Sequence, residues 1–418
     1  MTRGGELGGE PALTALLARP EVRTVLAALD DGGEETRLVG GAIRNALLGE
    51  AVHEIDFCTT ATPDVTTRRA RAAGLRVVPT GIEHGTVTVL VADDAFEVTT
   101  LREDVETDGR HALVRFGRSF RADALRRDFT VNALSLSADG RLHDEVGGVA
   151  DVQARRVRFI GDPSTRIRED YLRILRFFRF HAQVGEGPLD AAGLAAAIRE
   201  RAGLSILSRE RVRAELLKLL GTRRAVPTIA AMSESGFLAL ILGGVGEMGR
   251  LNRVAVCDAG APDPVRRLAA LSVQVSEDAE RLGERLRLSS AEEARLRAYA
   301  LALTALRTRP SLDASALRVA AAVHGREAVV DGLAVLAGEP RPRLAPDAAA
   351  LFERYVAGIE DAPVFPLRGA DLLSLGLPPG PEIGRLLDEA RRQWLAEGCP
   401  EGSEARRILL QRMAPGAA

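Results

Sequence analysis

Leu38-Val39-Gly40-Gly41-Ala42-Ile43-Arg44-Asn45-Ala46-Leu47-Leu48, followed closely by Glu54-Ile55-Asp56-Phe57, decides how this chain folds. The first run reads as a strand end, a tight glycine turn and a short helix opening near Ala42. Gly40 and Gly41 allow a sharp turn and close approach of the backbone to a ligand. The free N–H groups and positive end of the following helix favour an anion, most simply a phosphate. The second run alternates with period two. Ile55 and Phe57 point inward, and Glu54 and Asp56 project together from the opposite face. Paired carboxylates suit a divalent cation with oxygen ligands. A phosphate cradle beside such a pair is equipment for phosphoryl or nucleotidyl transfer. Taken alone, the same residues also describe a turn followed by an edge strand with a solvated acidic face.

The chain has 418 residues, 46% of them hydrophobic and 27% charged, enough for two or three globular units. A net charge of −2 does not by itself point to nucleic acid. Lys218 is the only lysine, so nearly all positive charge is arginine, which GC-rich coding explains as readily as function. Cys58, Cys257 and Cys399 form neither a metal-binding spacing nor a disulfide framework, as expected of a reducing cytoplasm. The first residues are polar and rich in Gly and Glu, unlike a secretory leader. No apolar run approaches 18 residues, so no membrane partner is expected.

Leu13 to Leu29 reads as one or two short helices around Pro20, and Pro63 to Ala73 as another, closed by Gly74. Leu75–Val78, Gly85–Val91 and Ala95–Thr100 read as strands. In the last of these, Glu97 stands opposite Phe96 and Val98. It either joins the acidic site from a neighbouring strand or is a plain exposed residue. Glu103 to Phe120 is charged and aperiodic, and reads as a mobile loop. Arg126-Arg127-Asp128 stands at the lip of an apolar element. Its arginine forks suit phosphate or ribose oxygens, or pair locally with the acid.

From Arg155 to His181 there are eight arginines against three acids, a local excess that suits phosphate contact. Tyr171, Ile174, Leu175 and Phe178 mark the buried stripe of a helix that carries Asp170, Arg173 and Arg176 on its surface. A carboxylate acceptor beside a guanidinium donor can pair with a nucleobase edge, or the two can simply form a helix salt bridge. Beyond Pro188 the chain reads as almost wholly helical. An amphipathic helix over Ser208–Leu220 is capped by Ser208. Further helices are expected over Val226–Leu242, Asp263–Val275, Ser276–Leu286, Ala291–Ala305, Asp313–His324, Arg326–Leu336 and Ala345–Ile359. A helix, turn and helix are expected over Pro366–Gly398.

Taken in order, Leu38–Leu48, Glu54–Phe57, Phe96–Arg102, Arg126–Ala133, Glu169–Phe180 and the helix over Ser208–Leu220 resemble the bacterial tRNA CCA-adding and poly(A) polymerase family. This is a class II branch of the polymerase-β nucleotidyltransferase superfamily. The resemblance implies an α+β chain: a nucleotidyltransferase head with a small mixed sheet over residues 1–150, then an elongated all-α remainder. That remainder would comprise a base-recognising neck over 151–220 and a tRNA-binding body and tail over 221–418. It implies catalytic roles for Glu54, Asp56 and Asp128, with Glu54 and Asp56, joined by Glu97 or Asp128, holding Mg²⁺. Gly40, Gly41 and Arg44 would meet the triphosphate, and Arg127 with Asp128 the ribose. Asp170 and Arg173 would read the base edge, supported by Arg176 and Arg179. The stretch from Glu103 to about Phe120 matches the flexible loop that family members use when changing from C to A.

This chain departs from the family pattern at two positions, carrying Glu54 and Asn45 where members usually have Asp. The longer Glu54 side chain shifts the metal geometry, and Asn45 is expected to serve as a hydrogen-bonding residue on the helix surface. The implied activity is addition of C, C and A to the tRNA 3′ end from CTP and ATP, without a template, with contacts to the acceptor and T-arm region. Addition of A only, C only or poly(A) is compatible with the same scaffold, and an inactive RNA-binding chain is the rival from another class. An antibiotic-type nucleotidyltransferase would share the first motif but has no need of Asp170 with Arg173 or of a long helical tail.

Overall fold

The structure is a computed structural model that describes residues 10–413 apart from 31, 82–84, 108–111 and 259–260. The chain divides into two compact units, one ending at Leu207 and the other beginning at Ser208.

The first unit opens with α1 (Glu10–Leu17) and α2 (Pro20–Leu29), the latter begun by the proline whose fixed φ suits a first helical turn. Then follow β1 (Thr36–Val39), α3 (Gly41–Leu48), β2 (Asp56–Thr59), α4 (Pro63–Ala72), β3 (Arg76–Gly81), β4 (Thr86–Val91) and β5 (Asp94–Thr100). A hairpin of β6 (Arg102–Thr107) and β7 (Ala112–Phe116) comes next, then α5 (Phe120–Leu125), β8 (Ser135–Ser137), β9 (Leu142–His143) and α6 (Gly148–Gln153). The main sheet has seven strands in the order β3-β4-β5-β2-β1-β8-β9. Its neighbours are antiparallel except β2 and β5, which run parallel and align Asp56 with Glu97, Phe57 with Val98 and Cys58 with Thr99.

Period-two alternation gives this sheet two faces. Leu38, Phe57, Phe96 and Val98 are buried on one, with Phe57 and Phe96 edge to face at 5.9 Å and α2 and α4 packed over the sheet. Asp56 and Glu97 stand on the other. Val39, Cys58 and Leu101 pack there with Phe120.

Two expectations are corrected here. Glu54 precedes β2 rather than lying in it, because the ladder to β1 begins at Asp56. The charged stretch after Leu101 is a β-hairpin followed by a helix, not a loop. A two-stranded ribbon is held by backbone hydrogen bonds and needs no apolar alternation to declare it. Residues 108–111 of that reading lie outside the described residues.

The unit ends in α7 (Pro163–Glu169), α8 (Leu172–Val184) and α9 (Ala191–Glu200). The helix expected to carry Asp170 starts only after it: Asp170 is extended, at φ −155° and ψ 106°, and its Oδ1 accepts from Leu172 N at 3.1 Å. An aspartate that caps the next turn competes with helix continuation. Phe129, Phe159, Phe177 and Phe180 form an aromatic core, with ring centroids 4.9 Å apart for Phe129–Phe159 and 5.4 Å for Phe129–Phe180. Backbone bonds Ile160 N to Asp128 O and Thr130 N to Arg158 O, each 3.1 Å, fasten the Asp128 segment to that core.

The second unit is helical: α10 (Arg209–Leu220), α11 (Ala225–Glu234), α12 (Phe237–Leu242), α13 (Met248–Val256), α14 (Pro264–Ser272), α15 (Ser276–Leu286) and α16 (Ser290–Arg307). It continues with β10 (Ser311–Leu312), α17 (Ala314–His324), α18 (Arg326–Leu336), β11 (Arg343–Leu344), α19 (Pro346–Val356), α20 (Gly369–Ser374), α21 (Pro381–Ala396) and α22 (Gly402–Met413). Ser208 caps α10, accepting from Arg211 N at 3.4 Å. The expected helix over Val226–Leu242 divides at Gly236, whose φ of +77° is left-handed. No helix among the described residues is long and apolar enough to cross a membrane.

Candidate active site

The site is built around the turn between β1 and α3. Gly40 adopts φ +72° and ψ −124°, a conformation that costs any L side chain. A Cβ there would lie 3.2 Å from Arg127 Nη1, and one at Gly41 would lie 3.6 Å from Arg44 Nη2. Two guanidiniums therefore flank the glycines.

Arg44 is 4% exposed, and its described hydrogen-bond partners are neutral. Nε and Nη2 donate to Asn45 Oδ1 at 3.1 and 2.9 Å, and Nη1 to Asn132 Oδ1 at 2.5 Å. Burial pushes its pKa down to about 10, against the pull of Glu50. Asn45 also donates to Ala51 O at 3.0 Å, fastening the turn after α3. Arg127 donates from Nε to Asp123 Oδ2 at 3.0 Å, from Nη1 to Asn132 O at 3.1 Å and from Nη2 to Cys58 Sγ at 3.5 Å. Burial pushes the Cys58 thiol up to about 12, so it serves as a packed acceptor rather than a nucleophile.

The carboxylates lie on the strands beside β1, where Val39 pairs with Asp56. Asp56 and Glu97 are register partners on parallel strands, and Glu54 lies two residues before Asp56. Burial raises the Asp56 pKa, and Glu97 and Glu54 raise it further, while Arg127 opposes them. Mutually repelling, oxygen-only donors fit a hard divalent cation, which would relieve the repulsion. Among the described residues, no three His, Cys, Asp or Glu side chains already converge closely enough to hold one.

Asp128 is engaged differently. Its Oδ2 receives Arg176 Nε at 2.7 Å and Nη2 at 2.6 Å, and its Oδ1 receives Phe129 N at 2.9 Å and Asn132 Nδ2 at 3.3 Å. Arg44, Arg176 and Arg179 surround the Phe180 ring, with Cζ 5.4, 5.2 and 4.0 Å from its centroid. The structure thus brings Gly40, Gly41, Arg44 and Arg127 together at the turn. It places Asp56 beside Glu97, and Asp128 on Arg176 near Arg179. Arg173 lies on the first turn of α8, donating to Arg166 O at 2.9 Å and to Glu169 Oε2, with Asp170 just ahead of it.

Sequence reasoning missed Asn132 and Asp123. Asn132 bonds Arg44 and Asp128 through its side chain and Arg127 through its carbonyl. Its signal was a lone amide within the apolar run Phe129–Leu134. Asp123, deeply buried, binds both Arg126 and Arg127, and its i,i+4 spacing from Arg127 was readable.

A small mixed sheet carrying a glycine turn, flanking arginines and an in-register acid pair is the arrangement expected of a nucleotidyltransferase. Residues 36–158 match the family model described as the poly A polymerase head domain, and residues 192–245 match the probable RNA and SrmB-binding site of polymerase A. CCA tRNA nucleotidyltransferase 1, mitochondrial, of Danio rerio is 36% identical over 86% of this chain and 83% of its own length. The CCA-adding enzyme of Limosilactobacillus fermentum is 30% identical over 89% of this chain and 91% of its own. The crystal structure of the Bacillus stearothermophilus CCA-adding enzyme in complex with CTP superposes with a TM-score of 0.68 at 25% identity, covering 96% of this chain and 98% of that one. The chain belongs to the CCA-adding enzyme family.

Proposed function

We propose that this nucleotidyltransferase adds C, C and A to the 3′ end of tRNA from CTP and ATP, releasing pyrophosphate and using no nucleic-acid template. The observation that carries the reading is the glycine turn flanked by the Arg44 and Arg127 guanidiniums at the end of β1, next to β2, whose Asp56 is in register with Glu97. Relatives named for CCA addition that match across most of their length support it.

Arg44, Arg127 and the N–H groups at the start of α3 bind and orient the triphosphate. Asp56, Glu97 and Glu54 would hold Mg²⁺, with Asp56 central. When bound, Mg²⁺ supplies charge neutralisation at the phosphates and lowers the pKa of the attacking 3′-hydroxyl. Asp128, held by Arg176 and by Asn132, fixes the wall on which the ribose rests. Asp170 and Arg173 read the base edge. Cytosine and adenine each offer an exocyclic amino donor to the carboxylate and a ring-nitrogen acceptor to the guanidinium. Uracil and guanine offer the reverse and leave a polar group unpaired.

In this reading residues 1–150 perform the transfer, 151–220 choose the base and 221–418 hold the tRNA, mainly by shape and backbone contacts. The three cysteines are free thiols, which supports a cytoplasmic setting. The test offers each of the four labelled nucleoside triphosphates singly to a tRNA transcript lacking its CCA end. Incorporation of CTP, with UTP and GTP refused, supports the reading. Equal use of all four removes the base-reading role of Asp170 and Arg173.

A further inference from the structure

The second unit gathers four arginines at the short parallel pair β10–β11. The strands align Ser311 with Arg343 and Leu312 with Leu344. Arg343 N donates to Pro310 O at 3.0 Å and Ala345 N to Leu312 O at 2.9 Å. That ladder draws together two arginine-bearing stretches, Arg307-Thr308-Arg309-Pro310 and Arg341-Pro342-Arg343.

Leu312 anchors the ladder at 1% exposure. Arg309, Arg341 and Arg343 are exposed, and Arg307 is half-buried at the last turn of α16. Among the described residues, none of the four guanidiniums has an ion-pair or hydrogen-bond partner. Among the described residues none of the acids close by in sequence pairs with these guanidiniums. Asp313 caps α17 through Ala316 N at 2.7 Å, Asp347 accepts from Ala314 N at 3.1 Å, and Glu339 binds Arg253 at 2.9 Å. Elsewhere in the same unit Arg318, Arg326 and Arg354 are neutralised by Glu360, Glu401 or Asp361.

Like charges held side by side in water repel, and folding gains nothing from leaving them unpaired. A ligand of dense, regularly spaced negative charge reverses that balance, and guanidinium forks match phosphate geometry. Clustered, unpaired arginines are the electrostatic footprint of a protein that binds a nucleic-acid backbone. We propose that Arg307, Arg309, Arg341 and Arg343 form a docking surface for RNA phosphates, through which the second unit contacts tRNA irrespective of its sequence. This rests on the proposed tRNA substrate and adds the place of contact.

The test uses the full chain with Arg309, Arg341 and Arg343 replaced together by Gln (R309Q/R341Q/R343Q), leaving half-buried Arg307 intact. Affinity for a tRNA transcript lacking CCA is measured over a range of salt concentrations, and affinity for CTP is measured separately. The expected result is tRNA binding weakened about tenfold or more. The slope of log Kd against log salt falls by about 0.7–0.9 for each RNA phosphate that an arginine no longer neutralises. CTP affinity and melting temperature stay as in the wild type. The corresponding triple Lys variant keeps the charge and is expected to bind tRNA nearly as the wild type does, so it decides the matter if the Gln variant folds poorly. Unchanged tRNA affinity and salt slope in the Gln variant, or loss of affinity in a well-folded Lys variant equal to that in the Gln variant, overturns the proposal. A wild-type chain that binds no tRNA overturns the substrate reading instead.

Discussion

Arg44 Nη1 and Asn132 Oδ1 lie 2.5 Å apart across 88 residues of sequence, joining the helix after the glycine turn to the segment after Asp128. The acceptor is a neutral amide. It holds the guanidinium in place without cancelling its charge, as the proposed triphosphate contact requires. Through Nδ2 and its carbonyl, the same residue also touches Asp128 and Arg127.

Asn132→Ala is therefore expected to raise KM for CTP and ATP by the same factor. A hydrogen bond to a charged group is worth about 1.5–3 kcal/mol, or roughly ten- to a hundredfold. Asn132→Asp, which neutralises Arg44 and faces Asp128, should raise KM at least as far. Steady-state kinetics with each nucleotide checks this. A KM that rises for only one nucleotide contradicts a role at the shared triphosphate.

Gly40→Ala tests the turn itself. At φ +72° the added Cβ is strained by about 1–3 kcal/mol and presses on Arg127 Nη1, 3.2 Å away. The expected outcome is a fall in kcat/KM with both nucleotides, together with a modest drop in melting temperature. An alanine variant with wild-type kinetics would show that the backbone does not need this geometry.

These residues also mark how far the sequence could be read. The Gly40-Gly41 turn, the Asp56 face, Pro63 at the head of α4 and Ser208 at the cap of α10 all follow from rules acting over a few residues. What failed depended on distant partners or on the start of a ladder. β2 begins at Asp56 because β1 pairs no earlier, which leaves Glu54 outside the strand. Asp170 stands outside the helix expected to carry it, because its carboxylate accepts from Leu172 N and caps the next turn. The sequence of β6, Arg-Glu-Asp-Val-Glu-Thr, lacks the apolar alternation by which a strand is read. Asn132 was invisible as a hub because its guanidinium partner stands 88 residues away.

Removal of divalent cations with EDTA is expected to stop incorporation, and added Mg²⁺ to restore it. Asp56→Asn should reduce incorporation to background at any Mg²⁺ concentration, since the central oxygen donor loses its charge. Glu54→Asp, by contrast, should retain activity. An Asp56→Asn enzyme rescued by Mg²⁺ would remove Asp56 from the metal site.

Base choice gives a separate test. Arg173→Ala should lower the preference for CTP over UTP by about a hundredfold or more, because the donor proposed to meet the cytosine ring nitrogen is gone. Competition between labelled CTP and UTP on one tRNA reads this directly. Preference retained in the variant would place recognition elsewhere than on the first turn of α8.

The most direct measurement follows nucleotide addition at single-residue resolution on three tRNA transcripts, ending before CCA, after C and after CC, with CTP, ATP or both. Each transcript is expected to grow to CCA and then arrest, with CTP alone carrying the first transcript only to CC. A tail of A residues growing without limit, or no addition to any of the three while tRNA still binds, would contradict it.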